Sequence, residues 1–400
     1  MCSRRRLPSF STISPSAKKS KRIDNGGEII YNNGTVSKND NCTVCVYLSD
    51  LKTNKFFHEI IKGIQEEVQT KNITPFFTDD LEELIRTCNK LNEKVAVIVE
   101  YSRREAQRIL REMAERGIHC IFVNMKIERE RRCLKHSSVC HDYEEATRKL
   151  VLESCRDSAK KMAFLGYNED SYSDTVKLHL IRELLGEEGE RYDVYPNEGN
   201  VQSCLSAFIR RIDEYDVVLC VNDIFIVLLF TSLGNLGNLR VIGSSFLNLS
   251  NLYCNDYTTV MLDNRQVGRC AVRAYRLLRK TNSIATLDIK VATKIIHSQD
   301  DSSAPVRETE DEEDCPSNIF FNDEQVSELL KLENMFIKCD ETDVRILKAI
   351  KEGKTYAAIE ESEYIAINTI KYRLNRMIWS AGVDGKKRLF ELLDKYHLLQ

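Results

Sequence analysis

The sequence predicts an α/β protein of two doubly wound parallel-sheet lobes, followed by an all-α domain at the C-terminal end. Three observations lead to this prediction. Between residues 41 and 298, continuous apolar runs alternate with amphipathic helical segments, as in buried parallel strands joined by crossover helices. Residues 299–321 form an acidic linker, in which 300–314 carry eight acidic side chains and one basic one. Residues 322–400 return to helical periodicity, with basic side chains near their end.

The predicted elements of the α/β part alternate regularly along the chain. In the first half, strands are predicted at "CTVCVYLSD", "ITPFFTD", "KVAVIVEYS" and "HCIFVN", with amphipathic helices between them. In the second half, strands are predicted at "KMAFLGYN", "RYDVYPN", "DVVLCVND", "RVIGSSF", "YTTVMLD" and "DIKVATKII". Ligands of such sheets bind beyond the carboxyl ends of the strands, so the crevice between the lobes is the predicted pocket.

Length and composition limit the classes to which the protein can belong. The chain has 400 residues, of which 42% are hydrophobic and 30% charged, and this length predicts more than one domain. No apolar run approaches the roughly 20 residues of a membrane span. The positively charged start "MCSRRRLPSF" is not followed by the apolar core of a signal peptide. We therefore predict a cytoplasmic protein without a membrane partner.

Residues 1–40 are predicted to be a basic, largely disordered arm. Residues 1–22 hold seven basic side chains and no acidic one, which is typical of a solvated segment. Contact of this arm with nucleic acid is the alternative interpretation. The pair Asn33-Gly34 in "IIYNNGTVS" predicts a small hairpin.

The 14 cysteines are scattered through apolar patterns such as "CTVCVYL" and "DVVLCVND". A reduced cysteine packs as a small hydrophobic residue, so we interpret them as core thiols. The run "CLKHSSVCHD" brings together Cys133, His136, Cys140 and His141, which are residue types that bind zinc. Their spacing matches no four-ligand zinc pattern, and residues 139–141 are predicted to form a strand. We predict neither a metal site nor a cofactor.

Several motifs of the α/β part resemble the ligand-sensing domain of the lac and galactose repressor family, which has the periplasmic-binding-protein type I fold. The resemblance covers about 250 residues and rests on the order and spacing of "VYLSDLKTNKFFHEIIKGIQEEV", "VCHDYEEA", "CVNDIFIVLLFTSL" and "VIGSSF" followed by "DYTTVMLDNRQVGRCAV". The residues that match are Asn54, Phe56, Phe57, Asp142, Asn222, Asp223, Thr258, Thr259 and Gly268.

The resemblance implies a small-molecule effector in the cleft between the lobes. The predicted ligand-binding residues are Asp50, Asn54, Phe56, Tyr101, Tyr167, Lys177, Asn222, Asp223 and Ser245. Two positions depart from the family. Ser245 stands where the family has an aspartate, and Lys177 stands where it has an arginine, followed by Leu180 in place of a glycine. Lysine does not reproduce a bidentate arginine. The loss of both charges argues against a sugar ligand, and it leaves open both another ligand and an empty pocket.

The C-terminal segment resembles the LuxR-type helix-turn-helix, with its core at residues 340–396. Gly353 ends the first helix, Ile359 lies in the supporting helix, and Ile367 begins the reading helix. Ile370-Lys371 fits the usual Val-Lys pair. Ala366 occupies a place near the family's usual serine or threonine. This resemblance implies that double-stranded DNA is a partner.

The reading helix divides into two faces when Ile367–Trp379 is placed on a helix. Its apolar residues share one face, and its polar and basic residues lie on or beside the other. Asn368, Thr369 and Lys371 are candidates for contact with bases, whereas Arg373 and Arg376 are candidates for phosphate contact. We expect Arg376 on the exposed face, where its replacement costs little stability. The predicted DNA-binding residues are Asn368, Thr369, Lys371, Tyr372, Arg373, Asn375, Arg376, Lys386, Lys387 and Arg388.

The helix predicted at 322–339 precedes this head and carries an apolar stripe. The stripe consists of Val326, Leu329, Leu330, Leu332 and Met335. It is too short for a lasting coiled coil, so we expect it to pack locally. A homodimer is predicted, because two tethered heads bind DNA more tightly than one. The flexible acidic linker is expected to let two heads reach half-sites without fixing their spacing.

Together these observations predict a ligand-responsive DNA-binding transcriptional regulator. One alternative is a solute-binding receptor, which would need an export signal. Another is a ligand-free dimerisation scaffold whose helical end docks a protein. No glycine-rich phosphate loop, nucleophile elbow or paired metal motif is found, so an enzyme is not predicted.

Overall fold

The structure is a computed structural model. It describes residues 20–23, 29–32, 42–49, 55–127, 134–155, 160–244, 247, 249, 257–281, 283–297 and 323–399. Most of the N-terminal arm and the whole acidic linker therefore lie outside the described residues. In the part of the chain that is described, no helix is both long and apolar enough to cross a membrane.

The N-terminal lobe is a six-stranded, fully parallel sheet covered by helices on both faces. Its strands are β3 (Thr43–Leu48), β4 (Thr74–Thr78), β5 (Val95–Val99), β6 (His119–Val123), β7 (Ser137–His141) and β13 (Asp288–Val291), in the spatial order β13-β7-β6-β5-β3-β4. Its helices are α1 (Lys55–Gln69), α2 (Leu81–Leu91), α3 (Arg103–Glu115) and α8 (Asn264–Lys280). Val44 and Val46 of β3 pack toward α1 and α8, while Cys45 and Tyr47 pack toward α2 and α3.

The C-terminal lobe repeats this arrangement with a second six-stranded sheet. Its strands are β8 (Met162–Tyr167), β9 (Tyr192–Pro196), β10 (Val217–Cys220), β11 (Arg240–Ile242), β12 (Tyr257–Met261) and β14 (Lys294–His297), in the order β14-β12-β11-β10-β8-β9. Its helices are α4 (Tyr143–Ser154), α5 (Tyr172–Leu185), α6 (Val201–Ile209) and α7 (Asp223–Leu233). All pairings are parallel except that of β14 with β12.

The chain crosses between the lobes three times. The crossings follow β7 at Asp142, follow β12 at residues 262–263, and lie between β13 and β14 at residues 292–293. The prediction of one strand at "DIKVATKII" was wrong, because its first half pairs with β7 and its second half pairs with β12. Two short apolar runs separated by two residues cannot be told from one strand by pattern alone.

Two glycines allow α1 and α8 to pack backbone to backbone. A Cβ on Gly63 would lie 1.9 Å from the carbonyl oxygen of Arg265, and one on Gly268 would lie 2.1 Å from that of Ile60. Since no side chain fits at such distances, both positions require glycine. This contact holds the returning helix α8 against the start of the lobe.

The C-terminal part of the chain is all helical, as predicted. It contains α9 (Glu324–Ile337), α10 (Glu341–Lys351), α11 (Tyr356–Glu363), α12 (Ile367–Ser380) and α13 (Lys386–Lys395). Val326, Leu329, Leu332 and Met335 of the α9 stripe are buried, while Leu330 is half-buried. These side chains belong to the same continuous core as the C-terminal lobe, so α9 packs locally.

The N-terminal arm contains one described hairpin. Strands β1 (Ser20–Ile23) and β2 (Ile29–Asn32) pair antiparallel. The hairpin predicted at Asn33-Gly34 lies outside the described residues.

Candidate effector cleft and candidate nucleic-acid interface

The predicted ligand-binding residues that the structure describes are Tyr101, Tyr167, Lys177, Asn222 and Asp223. Tyr101 follows β5 and Tyr167 ends β8, each at the carboxyl end of a strand. Lys177 lies on α5, and Asn222 and Asp223 follow β10. The other predicted ligand residues are Asp50, Asn54 and Ser245, which lie outside the described residues, and Phe56, of which only the position in α1 is described.

Lys177 is buried inside the C-terminal lobe. Its Nζ donates a hydrogen bond to the carbonyl oxygen of Val221 at 3.0 Å, lies 3.7 Å from Oδ1 of Asp174, and lies 5.9 Å from the centre of the Tyr143 ring. Burial lowers the pKa of the Lys177 ammonium, although Asp174 and Asp223 oppose this effect. The polar bonds of this side chain are thus made within its own lobe.

Asn222 and Asp223 also bond to their own lobe. The Asn222 side chain caps α7 by accepting from the Ile224 amide at 3.1 Å. Asp223 is fully buried. Its Oδ1 accepts from the Thr259 hydroxyl at 2.8 Å, and its Oδ2 accepts from the Leu247 amide at 3.3 Å. The Asp223 carboxylate therefore ties the end of β10 to β12 and to the segment after β11.

The lobes touch at the N-termini of α3 and α5. Nη1 of Arg103 donates to the Thr175 hydroxyl at 3.1 Å, and the Arg104 amide donates to Oδ1 of Asp170 at 3.4 Å. The Arg104 side chain also lies 3.5 Å from Glu169. Sequence reasoning missed these contacts, because it looked for cleft residues only at strand ends.

A cavity of about 930 Å³ lies between the lobes, on the side of α4 and α5. The N-terminal lobe supplies residues 126–127, 134–136, 285–286 and 288, and the C-terminal lobe supplies residues of α4 and α5 together with Tyr167. Tyr167 is the single predicted ligand residue in this lining. Burial raises the pKa of its hydroxyl, and the nearby charge of Arg182 opposes that effect.

In the helical part, α12 presents a polar face to solvent. Asn368, Thr369, Lys371, Tyr372 and Asn375 are exposed, and the Tyr372 side chain keeps 67% of its surface accessible. The opposite face is buried, through Ile370, Leu374 and Met377. The sequence therefore placed these residues on the correct faces of the helix.

Arg373 and Arg376 do not lie on that open face. Nη1 of Arg373 donates to Asp340 at 2.8 Å and to Asp343 at 2.9 Å, while Nη2 of Arg376 donates to Asp343 at 2.5 Å. Asp343 is fully buried and forms a capping box with Asp340 at the start of α10. The expectation that Arg376 lies on the exposed face was wrong, because Arg376 is half-buried and its guanidinium pairs with a buried carboxylate.

The basic residues of α13 have different surroundings. Lys387 is exposed, and the Lys386 ammonium lies 5.2 Å from the centre of the Tyr356 ring. Arg388 donates to Oε1 of Glu328 at 2.9 Å. Lys387 Nζ lies 3.9 Å from Oε1 of Glu391 on the same helix, whereas Arg388 is held against α9.

The turn between α11 and α12 lacks the side-chain cap that usually begins a helix. Ala366 offers no side-chain cap, and the Ile367 amide instead donates to Oε1 of Glu360 at 3.1 Å. Tyr364 has a left-handed backbone with φ of 56°, a conformation that bulky residues rarely adopt. Its side chain is 94% exposed.

Helix α9 connects the helical head to the C-terminal lobe through carboxylate side chains. Glu333 accepts from the Leu249 amide at 2.9 Å, and Asp323 accepts from the Val201 amide at 3.3 Å. On the other side, Glu328 accepts from Lys395 at 2.5 Å and from the Tyr396 hydroxyl at 2.6 Å. The expectation that the linker leaves the head free is wrong for this structure, since α9 anchors the head to the lobe.

The run "CLKHSSVCHD" does not assemble a metal site among the described residues. Cys140 and His141 are buried in β7, and Nε2 of His141 lies 3.0 Å from Oδ1 of Asn264. Cys133 lies outside the described residues. The described cysteines are free thiols.

Comparison with solved structures supports the assignment of the fold. The lac repressor dimer bound to operator and the anti-inducer ONPF shares 14% identity at a TM-score of 0.53, covering 66% of this chain and 95% of that one. The two lobes have the LacI-type sensor fold. This fold is of the periplasmic-binding-protein type I class, as predicted.

Two further structures give the same result. A transcriptional regulator CelR–cellobiose complex has 13% identity and a TM-score of 0.50, covering 65% of this chain and 85% of that one. GanP, a glucose-galactose binding protein from Geobacillus stearothermophilus, has 11% identity and a TM-score of 0.52, covering 66% and 99%. These similar proteins are transcriptional regulators and a sugar-binding protein, not enzymes. No protein-family model and no curated protein matches the sequence.

Proposed function

We propose that this protein is a ligand-responsive transcriptional regulator whose C-terminal helices bind double-stranded DNA. The observation that carries the proposal is the exposed polar face of α12, on the second helix of a tight helix pair, anchored through α9 to a sensor-type lobe. In a helix-turn-helix, the second helix enters the major groove with its N-terminal residues at the base edges. Asn368, Thr369, Lys371 and Asn375 are the exposed residues of α12 that we assign to base or near-base contact.

The phosphate contacts of the proposed interface differ from those that the sequence predicted. Lys371, Lys386 and Lys387 are exposed and supply the positive charge that phosphates need. Arg373 and Arg376 hold Asp343 instead, so we assign them to positioning α12. The LuxR-type identity of the head remains part of this proposal, which rests on the resemblance of residues 340–396.

We also propose that the protein acts as a homodimer. The lac repressor, whose sensor has the same fold, is a dimer on its operator, and one small head binds DNA weakly. Because α9 fixes the head to the C-terminal lobe, the distance between two heads follows the pairing of the lobes. Light scattering of the full chain at micromolar concentration should give twice the mass of 46.2 kDa. A monomeric mass would contradict the dimer and a symmetric operator.

A solute-binding receptor and a protein-docking scaffold are the alternatives. The glucose-galactose binding protein shares the fold of the lobes, but a receptor gives no role to the exposed polar face of α12. A docking scaffold would use that face, and it differs from the proposal in failing to bind DNA.

Selection of bound duplexes from a random DNA library with the full chain tests the proposal. We expect a recurring, two-fold symmetric sequence, and affinity that falls as salt rises. Lys371→Ala should weaken binding and lower the salt slope by about 1, with an unchanged melting temperature. Lys348→Ala is the matched control, because Lys348 is an exposed lysine on α10. If the library yields no sequence, or if both variants bind as the wild type does, the reading-helix assignment fails.

A further inference from the structure

The arginines of α12 are held away from its open face. Nη1 of Arg373 donates to Asp340 at 2.8 Å and to Asp343 at 2.9 Å. Nη2 of Arg376 donates to Asp343 at 2.5 Å. Because Asp343 is fully buried, release of these guanidinium groups would leave its carboxylate short of partners. The commonest specific contact to guanine is a bidentate pair from arginine or lysine to O6 and N7. In α12, which the structure describes from end to end, no arginine is free to make that contact.

Two asparagines lie on the open face instead. Asn368 and Asn375 are exposed, and neither side chain makes a hydrogen bond with any residue that the structure describes. A carboxamide carries one acceptor oxygen and two donor hydrogens, which match N6 and N7 of adenine in the major groove. The two residues are seven positions apart, and are thus roughly 10 Å apart along the helix axis. That distance is about the rise of three base pairs.

Tyr372 places an aromatic ring between the two asparagines. It follows Asn368 by four residues and precedes Asn375 by three, so the three side chains share one face of the helix. The Tyr372 side chain keeps 67% of its surface accessible and has no ring contact or hydrogen bond among the described residues. In the major groove, the C5-methyl group of thymine is the apolar feature of the base edges. A ring beside two carboxamides therefore matches the two bases of an A·T pair.

Lys371 is the exposed basic residue of α12. A lysine can bind guanine as well as phosphate. Its ammonium is a point charge without the planar fork of a guanidinium, so a lysine specifies a base less strictly than an arginine does. Lys371 thus suits a phosphate beside the groove better than a guanine edge.

We propose that α12 selects A·T base pairs, with Asn368 and Asn375 bonded to adenine edges and Tyr372 packed on a thymine methyl group. Each half-site then holds about three adjacent A·T pairs, as the spacing of the asparagines requires. The inference rests on the proposed function, because it names the class of sequence that the proposed DNA interface prefers.

Sequences selected from a random duplex library by the full chain test the asparagine contacts. We expect about three adjacent A·T pairs in each half-site. Asn368→Ala and Asn375→Ala should each relax the preference at one of these positions by roughly 5- to 150-fold, the range for loss of a bidentate base contact. Asn89→Ala is the matched control, because Asn89 is an exposed asparagine on α2, and it should keep the wild-type preference. Lys371→Ala should weaken binding to all sequences alike.

Deoxyuridine in place of single thymines tests the tyrosine contact, since it removes only the C5-methyl group. The wild type should lose roughly threefold in affinity at one thymine of each half-site, as for one methyl group returned to water. Tyr372→Ala should bind the thymine and deoxyuridine duplexes equally, at an unchanged melting temperature. Trp379→Ala is the matched control and should keep the penalty, because the exposed Trp379 ring lies at the far end of α12, with its centre 5.6 Å from the Lys338 ammonium.

The outcomes separate this inference from the proposed function. A recurring sequence with G·C pairs at the contacted positions overturns the inference and supports DNA binding by the head. A deoxyuridine penalty that persists in Tyr372→Ala, or asparagine variants that keep the wild-type preference, likewise overturn the inference alone. A library that yields no recurring sequence overturns both the inference and the proposed function.

Discussion

Replacement of Glu328 by glutamine should loosen the helical head from α9. The Glu328 side chain is 8% exposed and accepts hydrogen bonds from Arg388 at 2.9 Å, Lys395 at 2.5 Å and the Tyr396 hydroxyl at 2.6 Å. Glutamine has almost the same shape but carries no charge. It can still accept from Tyr396, whereas its amide N–H groups cannot accept from a second cation.

The expected cost follows from these contacts. A hydrogen bond to a charged group contributes about 1.5–3 kcal/mol, but Arg388 and Lys395 are both more than 40% exposed and regain water when released. We therefore expect a loss of about 2 kcal/mol rather than the sum of the bonds. For a unit of 150–250 residues, this corresponds to a fall in melting temperature of about 4–8 °C.

The pH dependence gives this prediction a second, independent readout. Burial raises the pKa of Glu328, but the hydrogen bonds from Lys395 and Tyr396 and the nearby cations outweigh it, so the pKa lies below its usual value of 4.5. A carboxylate with a depressed pKa stabilises the fold fully above the unfolded-state pKa and loses that contribution as pH falls through the folded-state pKa. The gap between wild type and Glu328→Gln should thus be constant from pH 7 to about pH 5 and shrink below it.

Thermal unfolding followed by circular dichroism measures this gap. Glu324→Gln is the matched control, since Glu324 is an exposed glutamate on the same helix, and it should cost only a few tenths of a kcal/mol at the helix N-terminus. Equal melting temperatures for the two variants at pH 7 would refute the role assigned to Glu328. A gap that does not change with pH would refute the electrostatic origin of its contribution.

Three further predictions follow from the packing. Gly268→Ala should destabilise the protein by at least about 2 kcal/mol in urea unfolding, because its Cβ would lie 2.1 Å from the Ile60 carbonyl oxygen; a neutral result would contradict the close α1–α8 contact. Tyr364→Gly should stabilise it by about 0.5–1 kcal/mol in the same assay, since it relieves a left-handed backbone at an exposed side chain; a loss of stability would mean that the ring makes a contact. Arg376→Ala should cost about 1–2 kcal/mol by leaving the buried Asp343 with fewer partners; an unchanged stability would return Arg376 to the DNA-contact set.

Much of the fold could be predicted because its signals are local. Buried parallel strands appear as continuous apolar runs. The caps and the periodicity of a helix depend only on residues of the same segment. The predicted start of α12 at Ile367 agrees with the structure. The split of "DIKVATKII" between two sheets could not be predicted in this way, because which sheet a strand joins depends on partners outside its own segment, here β7 for the first half and β12 for the second.

The candidate sites could be predicted only in part, for the same reason. Exposure of α12 follows from its own periodicity, so Asn368 and Lys371 were placed correctly. The ion pairs of Arg376 depend on Asp343, which lies 33 residues earlier, and helical periodicity contains no information about it. The burial of Lys177 likewise depends on Val221, 44 residues later. A basic residue near a predicted interface therefore needs its nearest buried carboxylate to be known before a role is assigned.

The path of hydrogen bonds from the sensor to the head limits how a ligand could regulate DNA binding. Asp223 bonds to Leu247, Leu249 bonds to Glu333 of α9, and Glu328 of α9 holds α13. The head therefore moves with the C-terminal lobe, and a change in the angle between the lobes moves the N-terminal lobe relative to both. In a dimer that pairs through both lobes, the same change would alter the distance between the two heads. A tenfold effect on DNA affinity would require the ligand to distinguish the two arrangements by only about 1.4 kcal/mol, which is less than the cost expected for Glu328→Gln. Loosening α9 should therefore weaken the response to ligand as well as the stability of the head.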